Sequence, residues 1–479
     1  MNDNYLADVI QRGDEGSQLL ARLTEPTRRN NTHTRTISSG MNSIAVLDIP
    51  EQYDVVVHSA TGDPALTDPA AYTASMVERL VEKALALKAR PLAFANVIDT
   101  PQGDLSLLEI IGTTLQKEAD QHQLSILNGE NAILGERIRQ ANVSGTMISL
   151  LPRIQHSHPA KLFYEGTTYA VFPHEGKPVY INSDGVGSKT AFYEMLAALG
   201  IEPSIELALA DSLAMKLDDA VKLAATPKVV ADTLEYDGDI TPHELRLQNA
   251  IIRHQQQLGI TYIFDMENIG RRLQGLTPFT YNLGGSVVST IDEERLHNPP
   301  RPQAGDTLIA IRGQPNPRSN GITAKRRAMA ENYGKQWWTT PEGKTFLQFL
   351  ATPSTIFYPV FAQLLTEGTA TSVYHLSGGA YEGKLARPLA RQGLHGILSR
   401  PYKPDEREIR LAHLSGKTTR DVYAQWPMGN EGFITTNDPA KALATLQAHG
   451  LEGKIAGRVF NDGVHGLTLK AYDGTVITY

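Results

Sequence analysis

The chain has 479 residues, which is too many for one ordinary hydrophobic core, so two or three domains are expected. Hydrophobic residues make up 41% of the sequence and charged residues 20%, and the formal net charge of -7 excludes the basic composition of proteins that bind nucleic acid. The sequence has no cysteine, which excludes disulfides, thiolate metal sites and cysteine nucleophiles.

The first segment, residues 1–35, is polar and is predicted to form a poorly ordered N-terminal tail. It does not have the form of a secretory signal, and no later apolar run reaches the length of a membrane span. We therefore expect a cytoplasmic protein that acts on a small molecule and has neither a nucleic-acid nor a membrane partner.

Short β-rich runs follow this segment and alternate with helical patterns. The runs "YDVVVHSA" and "RPLAFANV" predict strands, and an apolar period of three to four residues predicts a helix after them. The runs "KPVYINSD" and "PKVVADTL" then repeat this order, again with a helical pattern behind them. Strands that alternate with helices in this way predict mixed α/β, or α+β, domains.

The two series form an internal repeat. Matching islands occur in the same order at offsets of 136 to 140 residues: Pro91 with Pro227, Glu130 with Glu267, and Gly145 with Gly285. A repeat of this length is a small domain rather than a solenoid unit. We predict tandem domains at 36–152 and 153–300 and, after a proline-rich joint, a C-terminal domain at 301–479. Chance similarity between two α/β stretches is the alternative.

The stretch "YINSDGVGSKTAFYEML" contains the first candidate site. Its turn places Asp184, Gly185, Gly187, Ser188 and Lys189 directly after a predicted strand. The glycines let backbone N–H groups approach a phosphate, and the lysine supplies a point charge. The glycine spacing is not that of the P-loop. A glycine turn without a ligand is the alternative.

Acidic residues farther along the chain predict a cation site. Asp211 and Asp218 are seven residues apart, so they share a face if the segment is a helix, and Asp219 follows directly. Several carboxylates without cysteine partners, Asp184 among them, fit Mg²⁺. Among the histidines, His375 lies in a plausible site, although a capped strand end explains it equally well.

Taken together, these segments resemble the aminoimidazole ribonucleotide synthetase family, the phosphoribosylformylglycinamidine cyclo-ligases, over roughly residues 160–479. The family's D-G-V-G-T-K turn resembles Asp184 to Lys189, and its N-D-x-x-x-x-G-A-x-P segment resembles "LDDAVKLAATP". Its later H-S-N-G, P-T-x-I-Y, H-I-T-G-G-G and F-N-x-G segments resemble, in the same order, "RSNG", "TPSTIFYP", "HLSGGA" and "WPMGNEG". Related selenophosphate synthetases and hydrogenase maturation factors rely on a cysteine or selenocysteine that this chain lacks.

The resemblance implies an ATP-dependent ligase of purine biosynthesis that converts formylglycinamidine ribonucleotide to aminoimidazole ribonucleotide through a phosphorylated formamide. It implies catalytic roles for Asp184, Lys189 and Asp219, and Mg²⁺ ligation by Asp184, Asp211 and Asp219. It also implies a substrate site in the C-terminal domain, formed by Ser319, Asn320, Gly321, His375, Ser377, Gly378 and Gly379. A sister ligase that activates a different amide, and a non-catalytic nucleotide-binding regulator, are the alternatives.

Each copy departs from the family pattern in a different turn. The second copy keeps the lysine turn but has "FDMENIG" where the family has G-G-E-T-A-E. The first copy has "HSATGDP" in place of the lysine turn but keeps Asn128, Gly129 and Glu130. Family subunits pair so that each ATP site uses both kinds of turn. The resemblance therefore implies one composite ATP site that combines Asn128, Gly129 and Glu130 with Asp184 and Lys189, and a monomer whose pseudo-dimer is internal.

Overall fold

The computed structural model describes residues 4–40, 43–153, 169–201, 205–312 and 315–479. The chain divides into two compact units. Unit 1 comprises Met1–Glu194 and Ala225–His297, and unit 2 comprises Met195–Ala224 and Asn298–Tyr479. Within the described ranges, no helix is both long enough and apolar enough to cross a membrane.

Strands and helices are numbered here in chain order. The strands are β1 (Thr34–Thr36), β2 (Ala45–Leu47), β3 (Tyr53–Thr61), β4 (Arg90–Thr100), β5 (Ser125–Ile133), β6 (Asn142–Pro152), β7 (Tyr169–Phe172), β8 (Val179–Gly185), β9 (Thr226–Asp237), β10 (Thr261–Asn268), β11 (Thr280–Thr290), β12 (Thr307–Arg312), β13 (Ser372–His375), β14 (His395–Leu398), β15 (Gly432–Thr436), β16 (Glu452–Phe460), β17 (Gly466–Lys470) and β18 (Val476–Thr478). The helices are α1 (Asn4–Thr24), α2 (Pro69–Ala86), α3 (Leu105–Gln121), α4 (Thr190–Ala198), α5 (Ile205–Val221), α6 (Thr241–Leu258), α7 (Glu293–His297), α8 (Ile322–Tyr333), α9 (Pro341–Leu350), α10 (Tyr358–Thr366), α11 (Arg387–Arg391), α12 (Glu406–Leu414), α13 (Thr419–Gln425) and α14 (Pro439–Ala448).

The two sheets of unit 1 share one core arrangement. One sheet has the strand order β5-β4-β6-β3-β7, and the other has the order β10-β9-β11-β8-β2-β1. In each sheet the first two strands are parallel and the next two pairings are antiparallel. Strands β3 to β6 thus match β8 to β11 in order and direction. This agreement supports the proposed duplication, while the domain boundaries stay a prediction.

Antiparallel pairing aligns the two copies residue by residue. Gly145 of β6 lies opposite Ala60 of β3, and Gly285 of β11 lies opposite Asp184 of β8. Because the two glycines occupy equivalent positions, Ala60 takes in the first copy the place that Asp184 has in the second. The first copy therefore lacks the leading carboxylate of the turn.

Parallel pairing corrects one of the sequence matches. Glu130 lies opposite Val97, and Asp265 lies opposite Thr233. Val97 directly follows the residue that pairs with Gly145, and Thr233 directly follows the residue that pairs with Gly285. Val97 and Thr233 are therefore equivalent positions of the two copies. Glu130 therefore corresponds to Asp265, and the sequence match of Glu130 with Glu267 was wrong by two residues. The error arose because each island contains a Glu-Asn pair, which hides the shift.

Both sheets of unit 1 contribute to one apolar core. Val57 and Ile148 of the first sheet and Ile181 and Val288 of the second belong to a single buried cluster. The opposite face of the first sheet packs against helices α2 and α3, where Ile111 is fully buried. Strands covered on both faces read as continuous apolar runs, which is why their positions could be predicted.

The two copies also contact each other through reciprocal hydrogen bonds. The backbone N–H of Arg139 donates to the carbonyl of Arg272, and the N–H of Gln274 donates to the carbonyl of Arg137, each at 2.8 Å. Contacts in which each partner repeats the role of the other are those of a two-fold interface. Within unit 1, the two copies therefore meet as the subunits of a symmetric dimer do.

The N-terminal segment is not the poorly ordered tail that its composition predicted. Helix α1 places Leu20 in the core formed with α2 and α3. Arg28 is buried and donates to the carbonyl of Leu127 at 3.1 Å, and β1 pairs with β2 in the second sheet. The prediction was wrong because it relied on average polarity and overlooked the leucines that share one face of α1.

Unit 2 contains a mixed sheet with the order β13-β15-β12-β16-β14-β17-β18. The segment "TLIAIR" forms β12. Helix α5, which carries the predicted acids, packs through Val221 into a cluster with Ile309 of β12 and Phe361 of α10. The acidic residues of α5 are thereby fixed to a rigid part of unit 2.

Candidate functional site

The lysine turn begins where β8 ends. Asp184 Oδ1 accepts a hydrogen bond from the backbone N–H of Gly185 at 2.7 Å. A 3₁₀ turn spans Gly187–Lys189, and α4 follows at Thr190. Gly187 has φ 62° and open space around its missing Cβ, a backbone that L side chains rarely adopt. The turn leads into a helix N-terminus, where N–H groups can receive a phosphate oxygen.

Within this turn, Lys189 lies deeper than expected. Asp184, Gly185 and Gly187 are partly exposed, whereas Ser188 and Lys189 are buried, and Lys189 has no exposed side-chain area. The Lys189 ammonium group stands 6.0 Å from the ring centroid of Tyr193. A phosphate oxygen that contacts Lys189 would therefore have to be buried as well.

Asn128, Gly129 and Glu130, predicted to form a turn, lie within strand β5, which contacts the strand that carries Asp184. Asn128 Oδ1 accepts a hydrogen bond from the backbone N–H of Ser183 at 3.0 Å. Because side chains alternate along a strand, Glu130 points to the same side of β5 as Asn128. A Cβ at Gly129 would lie 2.7 Å from Asn96 Oδ1, so this position is restricted to glycine. The structure thus places Asn128 against the strand that leads into the lysine turn, and the role of these residues in ATP binding stays a prediction.

A pair of buried carboxyl groups, which the sequence analysis missed, lies at the contact of the two copies. Asn282 Nδ2 donates to Asp99 Oδ2 at 2.7 Å and to Glu235 Oε2 at 3.0 Å. Burial, and then the charge of Glu235, raise the pKa of Asp99 to about 8. Burial also raises the pKa of Glu235. Asp99 and Glu235 occupy equivalent positions in β4 and β9. The offset between the two copies is therefore the sequence feature that could have identified this pair.

In unit 2, two of the predicted acids anchor a loop. Asp211 Oδ1 accepts from the backbone N–H of Ser354 at 2.9 Å, and Asp218 Oδ1 accepts from the N–H of Phe357 at 2.8 Å. Both carboxylates therefore lie on one face of α5, as their spacing predicted. Asp211 is completely buried and fixes backbone, which is a structural role rather than the one expected of a metal ligand.

Asp219 is surrounded by cations and a histidine. His375 Nε2 lies 2.8 Å from Asp219 Oδ1, Lys222 forms an ion pair with the same carboxylate, and Lys384 Nζ stands 3.6 Å from it. Arg318 donates to His375 Nδ1 at 3.2 Å, so the His375 proton resides on Nε2 and is donated to Asp219. His375 was predicted to bind substrate. Its contact with Asp219 and the two lysines beside that carboxylate were not predicted.

Electrostatics support the same assignment of charge. Burial, and then the charge of Lys222, hold the pKa of His375 well below its ordinary value, so the imidazole is neutral. Burial opposes the ionisation of Asp219, but Lys222 and Lys384 outweigh it and hold the pKa of this carboxyl well below its usual range. Burial lowers the pKa of Lys222 to about 8.

These surroundings do not fit the predicted Mg²⁺ site. Across the described part of the chain, no three Asp, Glu, His or Cys side chains converge as metal ligands. Two ammonium groups beside Asp219 repel a divalent cation, and Asp211 is engaged with backbone. As arranged here, Asp211 and Asp219 do not present a ligand set for Mg²⁺, and Mg²⁺ ligation by Asp184 stays a prediction.

The predicted substrate turns of unit 2 meet each other. Asn320 Nδ2 donates to the carbonyl of Ser377 at 2.7 Å. The hydroxyl oxygens of Ser319 and Ser377 are buried and have no hydrogen-bond partner among the described residues. Arg318 and Ser319 have φ values of 46° and 39°, a left-handed backbone that is strained for such residues and is common at ligand sites.

Glycines shape the remaining part of these turns. Gly321 has φ 62°, and a Cβ there would lie 2.3 Å from the indole of Trp426. Gly379 has φ 82°, and nothing lies within 4 Å of a Cβ on Gly378. Bare backbone beside unpaired hydroxyl groups is suited to an anionic oxygen.

Comparisons with curated proteins find similarity to cyclo-ligases. Phosphoribosylformylglycinamidine cyclo-ligase from Anaeromyxobacter dehalogenans is 28% identical over 183 residues, which cover 37% of this chain and 52% of that enzyme. The enzyme of the same name from Methanobrevibacter smithii is 23% identical over 311 residues, which cover 63% of this chain and 86% of the relative. The predicted resemblance to the cyclo-ligase family is confirmed. The chain spans about half the length of the first cyclo-ligases it matches, and no family model matches it.

Solved structures with the same kind of fold are more distant than these cyclo-ligases. Thiamine-monophosphate kinase from Stenotrophomonas maltophilia has a TM-score of 0.42 at 13% identity, over 65% of this chain and 91% of that chain. Hydrogenase maturation protein HypE in complex with ATP has a TM-score of 0.43 at 14% identity, over 68% and 87%. Scores of this size carry no argument about the cyclo-ligase relationship.

Proposed function

We propose that this chain is an ATP-dependent cyclo-ligase that converts formylglycinamidine ribonucleotide to aminoimidazole ribonucleotide in purine biosynthesis. The observation that carries the proposal is the bond from the N–H of Ser183 to Asn128 Oδ1. It joins strand β5 of one copy, which carries Asn128, Gly129 and Glu130, to the Asp184 strand of the other, and a composite nucleotide site requires this proximity. The similarity to enzymes named as cyclo-ligases supplies the reaction.

The proposed reaction balances without an oxidant or a reductant. The formamide oxygen attacks the γ-phosphorus of ATP, the bond to ADP breaks, and an iminophosphate forms. The amidine nitrogen then attacks the formyl carbon, the C–O bond breaks, and inorganic phosphate leaves with the former formamide oxygen. Loss of a proton gives the aromatic imidazole. Because the nucleophile belongs to the same molecule, holding it in place accounts for on the order of 7–11 kcal/mol of the barrier.

Different residues of this chain bind the nucleotide and the ribonucleotide in this proposal. Asp184, Gly185, Gly187, Ser188 and Lys189 bind the nucleotide with Asn128, Gly129 and Glu130. In unit 2, the turns around Asn320 and Ser377 bind the phosphate of the ribonucleotide, with the unpaired hydroxyl groups as donors. Neutral His375 and Asp219 position the reacting end of the substrate. No step of the reaction is assigned to Mg²⁺.

Release of ADP and phosphate from ATP in the presence of formylglycinamidine ribonucleotide tests the proposal. We expect stoichiometric ADP, phosphate and aminoimidazole ribonucleotide, and loss of all three in Asp184→Asn. ATP binding without turnover of this substrate contradicts the cyclo-ligase assignment. Absence of turnover with any amide leaves the non-catalytic regulator.

A sister ligase with a different amide substrate is the second candidate. The observation that favours it is Lys222, which lies at an unspecified position of the family's aspartate segment and forms an ion pair with Asp219. An added cation at a substrate site changes which substrate charge is accepted. Assay of formamides and amides with and without a ribose phosphate distinguishes the two, because the cyclo-ligase requires the ribonucleotide.

A further inference from the structure

The first copy has a position that is equivalent to the lysine turn. It consists of Ala60, Thr61 and Gly62 at the end of β3, since Ala60 pairs with the matched glycine as Asp184 does. The opposing strand is β10, which contributes Asp265 where the intact site has Glu130. We name this place the counterpart position. It is what a second nucleotide site would occupy in a symmetric dimer.

Two cations of α2 fill the counterpart position. Arg79 donates from Nη1 to the carbonyl of Thr61 at 2.9 Å and from Nη2 to Glu267 Oε2 at 2.8 Å. Lys83 Nζ donates to the carbonyl of Ser59 at 2.7 Å and to Asp265 Oδ2 at 2.9 Å. Each cation therefore binds the strand end of the first copy and a carboxylate of the second.

The two positions also differ in exposure. Ala60, Thr61 and Gly62 are buried, whereas Asp184 and Gly185 in the equivalent turn are partly exposed. Thr61 Oγ1 donates to Glu235 at 3.0 Å, and Cβ on Gly62 would lie 2.6 Å from the Tyr72 carbonyl. The counterpart turn thus has neither the space nor the free backbone for a phosphate.

We infer that Arg79 and Lys83 close the counterpart position, so that each chain binds one nucleotide and binds it only at the Asp184 turn. The inference rests on the proposed function, because it assumes that the Asp184 turn binds ATP. A triphosphate at the counterpart position would have to break the ion pairs of Arg79 with Glu267 and of Lys83 with Asp265, and it would then lie beside these two carboxylates. Like charges at this distance oppose its binding.

Isothermal titration of the full chain with a non-hydrolysable ATP analogue tests the stoichiometry. We expect one equivalent per chain in the wild type, and at least tenfold weaker binding with no residual equivalent in Asp184→Asn. Two equivalents in the wild type, one of which survives in Asp184→Asn, overturn the inference and leave the proposed function in place. A single equivalent that survives unchanged in Asp184→Asn overturns both. No binding to the wild type overturns both.

Photolabelling with an azido-adenine nucleotide tests the location independently. We expect label on peptides from β5 or from the Asp184 turn, and at least tenfold less on peptides from β3 and β10. Comparable label on β3 or β10 overturns the inference. Circular dichroism of Asp184→Asn shows that the variant is folded, and an Asp63→Asn variant beside the counterpart turn is the matched control, for which we expect unchanged binding.

Discussion

Asp99 provides the sharpest prediction, because the structure places two carboxyl groups on one amide. Asp99 Oδ2 and Glu235 Oε2 both accept from Asn282 Nδ2, at 2.7 and 3.0 Å. Two buried carboxylates this close cannot both ionise without a large cost, so the pair retains a proton at neutral pH. Replacing Asp99 by asparagine removes the titrating group and keeps the shape of the protonated acid.

The magnitude follows from the shift in pKa. The pKa of Asp99 is about 8 in the folded chain and about 4 in the unfolded chain. The folded state therefore binds more protons between these values, and the free energy of unfolding falls by up to about 1.4 kcal/mol per pH unit as pH rises from 4 to 8. Between pH 5 and 7.5 this amounts to about 3 kcal/mol as an upper figure. The stabilising contribution of the proton is complete below pH 4 and lost above pH 8.

Urea unfolding followed by far-ultraviolet circular dichroism measures this difference. At pH 5 we expect wild type and Asp99→Asn to agree within about 1 kcal/mol, since a protonated acid and an amide are similar in shape. At pH 7.5 we expect the variant to be the more stable of the two by about 3 kcal/mol. Glu109→Gln, on the exposed face of α3, is the control and should follow the wild type. Parallel curves for wild type and Asp99→Asn would refute the shared proton.

Further predictions concern the nucleotide and the assembly. Asp184→Asn should lower ATP-dependent turnover by roughly 100-fold or more with an unchanged melting temperature, as for loss of one group that stabilises the transition state; near-normal turnover contradicts the assignment. Glu130→Ala should weaken ATP binding far more than Asp265→Ala or Glu267→Ala, and equal effects in a titration contradict the composite site. Light scattering should give the mass of one chain, and a dimer joined strand to strand through the Asp184-bearing sheets would contradict the internal pseudo-dimer.

Strand positions could be predicted because the strands of unit 1 are buried on both faces. Continuous apolar runs such as those of β4 and β9 stand out from a single sequence. The lysine turn could be located for a related reason, since two closely spaced glycines after such a run mark a sharp turn. Helix α1 was missed because its apolar face is narrow and its mean composition is polar. Local patterns thus give elements reliably where burial is nearly complete.

Pairs that depend on register could not be predicted in the same way. The match of Glu130 with Glu267 failed because sequence similarity rewards identical letters, whereas the sheet fixes equivalence by hydrogen bonding and makes Asp265 the counterpart. The contact of Asp219 with His375 was not predicted either, since His375 comes from a strand that is distant in the sequence. Such contacts follow from tertiary packing alone.

The asymmetry of unit 1 has a physical rationale in its single chain. A dimer of identical subunits carries every substitution in both sites, so a change that closes one site closes the other. Two copies in one chain remove that constraint. Arg79 and Lys83 can then form ion pairs with Glu267 and Asp265 of the other copy at one position. At the opposite position, the turn at Asp184 is partly exposed. We therefore expect the contact between the copies to persist without nucleotide, so that ATP binds to a preformed site and does not have to assemble it.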